Sequence, residues 1–336
     1  MLDATRLRVL VAIARHGSVT AAAQALNYAQ PSISHHMARL ESETGAKLME
    51  RAGRGIRLTD AGRLLAERAE EILGRLDAAE AELAAHVGLR QEKVRLAAFG
   101  SALGTLAAAA ASALRANQAV ADVSVVQAEP ADALRMLRVG EVDVALVFRY
   151  RHQDQPAEED PRHRVALQGP AGVKRDDGLH CRPVLDEAVY LITPAASQGG
   201  TGSGDGHDAT PRQASTRAAA GSLLATYASD RWIAGCERCQ DVLLRLCQSA
   251  GFCPDIAVTT DDYVAAQALV AAGLGVAIMP ELALRALRHP AVAATELPGT
   301  RRQVLAITYG GPPEPQAAAA LIAALTAAAA LYQGAS

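Results

Sequence analysis

The hydrophobic residues of this chain change their spacing once, near residue 93, and that change limits what it can fold into. Up to that point apolar side chains recur at intervals of three and four: Leu7, Leu10, Val11 and Ala14, then Ile33, Met37 and Leu40, then Leu65, Ala69, Ile72, Leu76, Ala79 and Leu83. Such intervals build one buried face on each of a series of helices. Beyond it, short apolar runs such as VRLAAF, VSVVQA and DVALVF alternate with helix-spaced stretches. The pattern predicts an all-α unit followed by an α/β body. At 336 residues, half of them hydrophobic, the chain is too long for one ordinary domain.

The first 60 residues are densely punctuated. A helix is expected from about Ala4 to His16, ended by Gly17; Ser18 caps a short Ala-rich helix; Asn27-Tyr28 makes a turn; Pro31 sits in the first turn of a third helix. The small residues Ala21, Ala22, Ala23 and Ala25 let the second helix approach its neighbours closely, as a helix-turn-helix crossing requires. In the third helix Ile33, Met37 and Leu40 fall on one side, and Ser32, His35, His36 and Arg39 on the other. RAGRGIRLT then combines two glycines, three arginines and a short alternating run, which predicts a basic hairpin or wing. Thr59 caps a long helix to about Val87 whose six apolar positions step by four and three, a coiled-coil seam for a second copy of the chain.

After residue 93 the strand-helix repeats predict two lobes. VRLAAF, VSVVQA and DVALVF with their helices make the first as a parallel lobe; AVYLIT, RWIAG, IAVT and GVAIMP make the second; QVLAITY and a helix over Gln316–Leu331 return to the first. The expected division is a winged helix-turn-helix over 1–59, a linker helix over 60–90, lobe I over 91–178 and 290–336, and lobe II over 179–289. Two connections between lobes leave a hinge and a cleft. The charged segment 150–178 and the Gly/Ser-rich stretch 195–221 are expected as loops, the latter as a mobile insertion.

Charge separates the same two parts. Residues 1–60 carry eight Lys and Arg against five acids, a balance of +3, while the whole chain is at −3, leaving −6 for residues 61–336. A basic head on an acidic body fits a double-stranded DNA binder whose body is repelled by phosphates. Aromatics at 3% are too scarce for a base-stacking single-strand binder. Asp3, Arg6 and Arg8 interrupt the early apolar stretch, so no secretion signal is read and a cytoplasmic protein is expected. The Ala-rich run from Ala317 to Tyr332 falls short of a membrane span. Five cysteines without such a signal are read as thiols. HExxH and Walker A patterns are absent, and Gly273-x-Gly275 reaches Ile278 where a dinucleotide fingerprint needs a small residue, so no catalytic residues, cofactor or metal are expected.

The candidate DNA contacts are Ser18, Gln30, Pro31, Ser32, Ser34, His35, His36 and Arg39 around the third helix, with Arg51, Arg54 and Arg57 of the wing. Gln pairs bidentately with adenine and Arg with guanine in the major groove, and wing arginines suit phosphates or the minor groove. Candidate ligand residues follow the strands: Ser101 and Ala102, Phe148, Gly235 and Cys236, Thr260 and Asp261. Ends of this kind converge on a cleft at strand termini, where free N–H groups suit a small carboxylate. Cys236-Glu237-Arg238-Cys239 at a helix start opens a second reading, a redox or metal sensor. No second CxxC or paired His completes a zinc set, although Cys247 and Cys253 leave a four-thiol site open. A two-lobed enzyme or receptor with a docking module at its N-terminus is the rival class.

The stretch from Leu7 to about Leu73 resembles the DNA-binding end of LysR-type transcriptional regulators. The matches are Gly17-Ser18, Ala22-Ala23, Gln30-Pro31-Ser32, Ser34, Leu40-Glu41, Gly45, Arg51, Leu58-Thr59 and Ala61-Gly62. A looser likeness continues through Gly140 to Ala145 and AAGLGVAIMP, so the resemblance covers nearly the whole chain. It implies a winged helix-turn-helix, a linker-helix dimer, an effector domain like periplasmic binding proteins of type 2, commonly a tetramer, and promoter control by a small co-inducer. RNA polymerase stands as a candidate partner. Two departures are Ala29, where the family usually has Ser, and Met49, where it usually has Phe; the first removes a cap from the third helix at a cost of about 1 kcal/mol.

Overall fold

The computed structural model describes residues 2–52, 55–86, 93–117, 120, 122–152, 179–195, 216–310 and 314–333. Arg54 and most of both expected loop segments lie outside these residues. The chain forms two compact units, Met1–Glu92 with Arg135–Val142, and Lys93–Leu134 with Asp143–Ser336.

In the first unit α1 (Ala4–His16), α2 (Val19–Ala25) and α3 (Gln30–Thr44) form as their punctuation dictates. The Asp3 side chain accepts from Thr5 and Arg6 N–H to cap α1, and Gly17 ends it in the left-handed region at φ 71°. Ser18 Oγ accepts from Ala21 N–H to cap α2. Ala29 supplies no side-chain cap to α3, whose first turn holds Pro31. Burial on α1 is wider than one stripe: Leu7, Val9, Leu10, Val11, Ala12 and Ile13 are all covered, while Ala14 is exposed. The reason is α4 (Asp60–His86), which packs on α1 and adds Ala66, Ala69 and Leu73 to the same core as Ile33, Met37 and Leu40.

That arrangement corrects the seam on α4. Ala69 is buried in the unit's own core and Leu65 lies half-buried against it, whereas Ile72, Leu76, Ala79 and Leu83 remain exposed. The single row in the sequence therefore serves two surfaces. Gly62 sits where any Cβ would collide with the Leu48 carbonyl, so the start of α4 rests directly on backbone. The wing is an antiparallel hairpin, β1 (Met49–Ala52) with β2 (Gly55–Leu58), in which Glu50 faces Arg57 and Arg51 faces Ile56.

The second unit is built on one eight-stranded sheet: β3 (Lys93–Ala98), β4 (Asp122–Gln127), β5 (Val144–His152), β6 (Leu179–Pro194), β7 (Arg231–Ala234), β8 (Asp255–Thr259), β9 (Val276–Pro280) and β10 (Val292–Tyr309), in the order β4-β3-β5-β10-β6-β9-β7-β8. Parallel strands occupy both ends, β4-β3-β5 and β9-β7-β8, and β6 and β10 run antiparallel between them. The first lobe is thus mixed, not wholly parallel as its sequence suggested, because β10 returns against β5. The two long strands each serve both halves: Arg301–Tyr309 pairs with β5 and with Leu179–Ala188, while Val292–Glu296 pairs with Tyr190–Pro194. The expected boundaries at 179 and 290 fall at or just before the starts of β6 and β10, but each strand then runs through both halves: 179–188 pair with the part of β10 that lies beside β5, and 292–296 pair with Tyr190–Pro194 in the second half. The register breaks between Glu296 and Arg301, where Gly299 takes φ 72°.

Helices cover this sheet. Gly100–Ala102 (α5), a π-helical turn over Leu103–Ala107 and α6 (Ala108–Ala116) follow β3; α7 (Pro130–Arg138) follows β4; α8 (Thr216–Ala225), α9 (Glu237–Ser249), α10 (Tyr263–Ala271) and α11 (Glu281–Ala286) surround the second half. The last helix, α12 (Gln316–Gln333), closes the core formed by Val94, Leu96, Leu106, Leu146, Val304 and Leu321. α8 begins inside the stretch expected to be a mobile insertion. Leu224 is fully buried there with the single tryptophan, Trp232, which shows that a low-complexity composition does not exclude an anchored helix at its edge. Among the described residues no helix is long and apolar enough to cross a membrane.

Candidate functional site

The first candidate surface is the outer face of α3. Ile33, Met37 and Leu40 have no exposure, and burying each contributes roughly 1.5–3 kcal/mol. That anchorage fixes the opposite face, where Gln30, Pro31, Ser32, Ser34, His35 and Arg39 are all exposed. His36 is half-buried and stacks on Tyr28 at 5.9 Å between ring centroids. Arg39 lies 3.5 Å from Glu43, which also takes Arg6 at 3.1 Å. Ser18 is exposed but spends its oxygen on the α2 cap.

The wing is set by one carboxylate that the site reading did not single out. Glu41 Oε1 accepts from the N–H groups of Leu48 and Met49 at 2.8 and 3.2 Å, and Oε2 takes Lys47 Nζ at 3.1 Å. Burial pushes the Glu41 carboxyl up, but the Leu48 N–H, Lys47 and the Met49 N–H together hold it below its ordinary value. Glu41 thereby pins the start of β1 to α3, and its place in the Leu40-Glu41 pair was the available signal. On the wing Arg51 is exposed, and Arg57 pairs with Glu50 at 2.6 Å. Arg54 is outside the described residues.

The second candidate site lies in the second unit, where strand ends from both halves of the sheet meet. Ser101 follows β3 and is 2% exposed; its Oγ accepts from Arg302 Nη2 at 2.8 Å, so this hydroxyl is engaged by the protein rather than presented to solvent. Arg302, on the connecting strand β10, is fully buried. Its guanidinium lies 4.9 Å from the ring centres of both Phe99 and Phe148, two of only three phenylalanines in the chain. Its Nε donates to Glu187 Oε1 at 2.6 Å, and Glu187 Oε2 accepts from Leu282 N–H at 2.6 Å. Burial raises the Glu187 carboxyl against the opposing pull of Arg302. Burial also works against the charge on Arg302, but Glu187 first, then Tyr263, Tyr150 and Cys239, outweigh it and hold the Arg302 proton more tightly than usual. Arg302 Nη1 is buried and has no hydrogen-bond partner among the described residues.

Around this cation stand groups from other strand ends. A Cβ on Gly100 would lie 3.7 Å from Gln127 Nε2 and 3.8 Å from the Tyr263 ring, so β3, β4 and α10 approach one another here. Tyr150 OH is 3.5 Å from Cys239 Sγ, and Cys239 Sγ is 3.2 Å from Cys236 Sγ. Glu129, after β4, has its carboxyl raised by burial although a hydrogen bond from Cys236 opposes this. Thr260 N–H donates to Ala234 O, Thr260 Oγ1 accepts from Asp262 N–H, and Asp261 is exposed. Ala102 has no exposure and Gly235 is half-buried.

Arg302, Glu187, Tyr150, Tyr263, Gln127 and Glu129 were not among the residues expected from sequence. Arg302 lies on one strand with Val304 to Thr308, which are buried on both faces, so nothing in the alternation of residues marked it before the strand pairing was known. A concavity of about 380 Å³ adjoins the Arg302–Glu187 pair, for Glu187 and Leu282 line it together with Asp186, Tyr190, Glu281, Arg285, Glu296 and Arg301 among others. Its charges pair with one another, Arg301 with Asp186 at 2.6 Å and Arg285 with Glu281 at 2.7 Å. Among the described residues no group of three or more His, Cys, Asp or Glu is placed to hold a metal ion.

Comparison with known proteins places both parts. Residues 4–63 match the bacterial regulatory helix-turn-helix protein, lysR family, and residues 88–330 match the LysR substrate binding domain. The probable cat1 operon transcriptional activator of Acinetobacter lwoffii is 34% identical over 154 residues, which is 46% of this chain and only about half of that protein's length at 50%. The HTH-type transcriptional regulator TcbR of Pseudomonas sp. (strain P51) is 27% identical over 307 residues, 90% of each chain. Among solved structures, CbnR, a LysR family transcriptional regulator, superposes with a TM-score of 0.60 at 21% identity, covering 98% of this chain and 99% of that one, a likeness of fold.

Proposed function

The chain belongs to the LysR family of bacterial regulatory helix-turn-helix proteins, and from that premise we propose that α3 enters the major groove of double-stranded promoter DNA while the sensor unit binds a small anionic effector. It is a transcriptional regulator with a helix-turn-helix and an effector-binding domain. The observation that carries the DNA reading is the row Gln30, Ser32, Ser34, His35 and Arg39 held in solvent above a fully buried row. Gln30 and Arg39 have the chemistry to read base edges, Ser32, Ser34 and His35 to hydrogen-bond bases or phosphates, and Arg51, Arg54 and Arg57 to hold the backbone. Ser18 and Pro31 set the helix ends, and His36 steadies the turn through Tyr28.

The exposed positions Ile72, Leu76, Ala79 and Leu83 step by four, three and four along α4. That surface supports dimerisation through this helix, giving two reading heads to a two-fold DNA site, with a tetramer as the larger assembly. Such a regulator works in the cytoplasm, by contact with DNA and RNA polymerase and not by catalysis. The effector would sit between the ends of β3 and β4 and the starts of α9 and α10, near Ser101, Ala102, Phe148, Gly235, Cys236, Thr260 and Asp261. The unpartnered Nη1 of Arg302 supports a negatively charged group on the ligand.

Footprinting of the DNA upstream of the coding sequence with the purified protein tests this. Specific protection of two half-sites about 10 base pairs apart, or a multiple of that, weakening as salt rises, is expected. Absence of any salt-sensitive, sequence-specific protection overturns it.

A further inference from the structure

We propose that Cys236 and Cys239 form a reversible thiol-disulfide switch inside the sensor cleft, closed by a small hydroperoxide and reopened by a dithiol reductant. The geometry is already close to that of the product. The two sulfurs are 3.2 Å apart across the first turn of α9, and a disulfide needs about 2.05 Å. Cys236 is the N-cap residue of that 13-residue helix, which places its sulfur over the first turn beside Cys239. Gly235 leaves the room: a Cβ there would stand 3.0 Å from Cys239 Cβ and 3.5 Å from its sulfur.

The other three cysteines lack this arrangement. Cys181 and Cys253 are exposed, and burial pushes the Cys247 thiol up to about 12. Cys239 is different: the Cys236 S–H first, then Tyr150 O–H and the Arg302 charge, outweigh burial and bring its thiol down to about 7. The same contact makes Cys236 the proton donor and pushes its own thiol up. A nucleophilic thiolate and a resolving thiol thus stand side by side, Cys236 half-buried and Cys239 nearly covered, which suits a small oxidant.

The chemistry balances in two steps. The Cys239 thiolate attacks one oxygen of the hydroperoxide; an S–O bond forms, the O–O bond breaks, and the departing alkoxide takes the Cys236 proton. Cys236 sulfur then attacks the sulfenic sulfur; an S–S bond forms, the S–O bond breaks, and hydroxide leaves, protonated from solvent. Two thiols and one hydroperoxide give a disulfide, an alcohol and water, the sulfurs losing the two electrons that the peroxide gains. Closure removes the hydrogen bond from Cys236 to Cys239 and the anion beside Arg302 and Tyr150. Its regulatory consequence rests on the ligand-cleft reading above; the disulfide itself does not.

The test uses the reduced full-length chain, hydrogen peroxide and mass spectrometry. Expected are loss of two hydrogens per chain, a cross-linked Cys236–Cys239 peptide, Cys181 and Cys253 still open to alkylation, and full reversal by dithiothreitol. In Cys236→Ser the reaction should stop at a Cys239 sulfenic acid trapped by dimedone, and in Cys239→Ser peroxide consumption should slow at least about tenfold. Oxidation that begins at Cys181 or Cys253, or equal rates in all three proteins, overturns the proposal. Affinity for the footprinted DNA should differ at least about threefold between closed and open forms, and an unchanged affinity with the disulfide formed overturns the switch. A thermal-shift screen of small carboxylates on the Cys236→Ser/Cys239→Ser chain reads the ligand cleft separately, so the failure of one claim is not mistaken for failure of the other.

Discussion

On α3 the polar side chains stand in water above three aliphatic ones with no exposure; on β10 the one residue with no exposure that carries a full charge, Arg302, is held between two phenylalanine rings. The helix-turn-helix unit keeps its core and its chemistry on opposite faces. The sensor unit folds its chemistry into its core, where Glu187 and Ser101 hydrogen-bond Arg302, Tyr150 meets Cys239, and the Arg302 charge acts on the Cys239 thiol. Substitutions on the first surface should act singly and leave stability alone, while those in the second should be coupled and costly.

The strongest way to break that contrast is Glu187→Ala. Removing one member of a buried pair leaves Arg302 charged without a counter-ion, at a cost of about 3–5 kcal/mol. Trp232, the only tryptophan, lies fully buried in the sensor unit and reports its unfolding in denaturant. The double change Glu187→Leu with Arg302→Met, which removes both charges, should recover most of the loss. A single change that costs under about 1 kcal/mol would show that water already reaches the pair, and the contrast with α3 would vanish.

A smaller effect sharpens the comparison from the other side, because Glu41 in the helix-turn-helix unit behaves like the polar groups of the sensor. Glu41 is 15% exposed and holds two N–H groups of the wing, so Glu41→Ala should cost about 2 kcal/mol, measured by helical circular dichroism in denaturant. Its carboxyl titrates below its ordinary value of 4.5 in the folded chain, which fixes the sign of the pH dependence. The contribution is fully present above about pH 4.5 and is lost as pH falls through the lowered value. The gap between wild type and Glu41→Ala should therefore narrow in acid, and a gap that stays constant to pH 2.5 would assign the loss to packing instead, by roughly the same linkage argument.

What could be read from the amino-acid sequence follows the same division. The ends of α1, α2 and α3 depend on signals within four residues, namely Asp3, Gly17, Ser18, Pro31 and Gly45, and such signals survive whatever packs around them. The row on α4 was legible as a row but not as two surfaces, because period alone does not say which neighbour each side chain meets. In the sensor unit the positions after strands pointed to Ser101 and Cys236, since strand ends in an α/β sheet share one edge. Arg302 and Glu187 were hidden for a different reason. They are 115 residues apart, and one buried guanidinium looks like any other among 33 Lys and Arg until the strand register is known.

The mildest effect on stability separates recognition from architecture. Arg39 is 63% exposed at its side chain and only 3.5 Å from Glu43, an arrangement that contributes little in water, so Arg39→Ala should change unfolding by no more than about 0.5 kcal/mol. On DNA the same change should be large. An arginine that reads a base edge loses about 1–3 kcal/mol of discrimination at one position, whereas one that holds a phosphate weakens all sequences alike and lowers the salt slope by about one. Arg57 is the internal control, since its partner Glu50 lies across the wing at 2.6 Å and a backbone role is expected there. Fluorescence anisotropy on cognate and scrambled DNA at several salt concentrations should then show lost discrimination for Arg39→Ala and a reduced slope for Arg57→Ala. If both variants bind as the wild type does, the exposed row on α3 is an ordinary solvated face, and its separation from the core is packing without a reader's purpose.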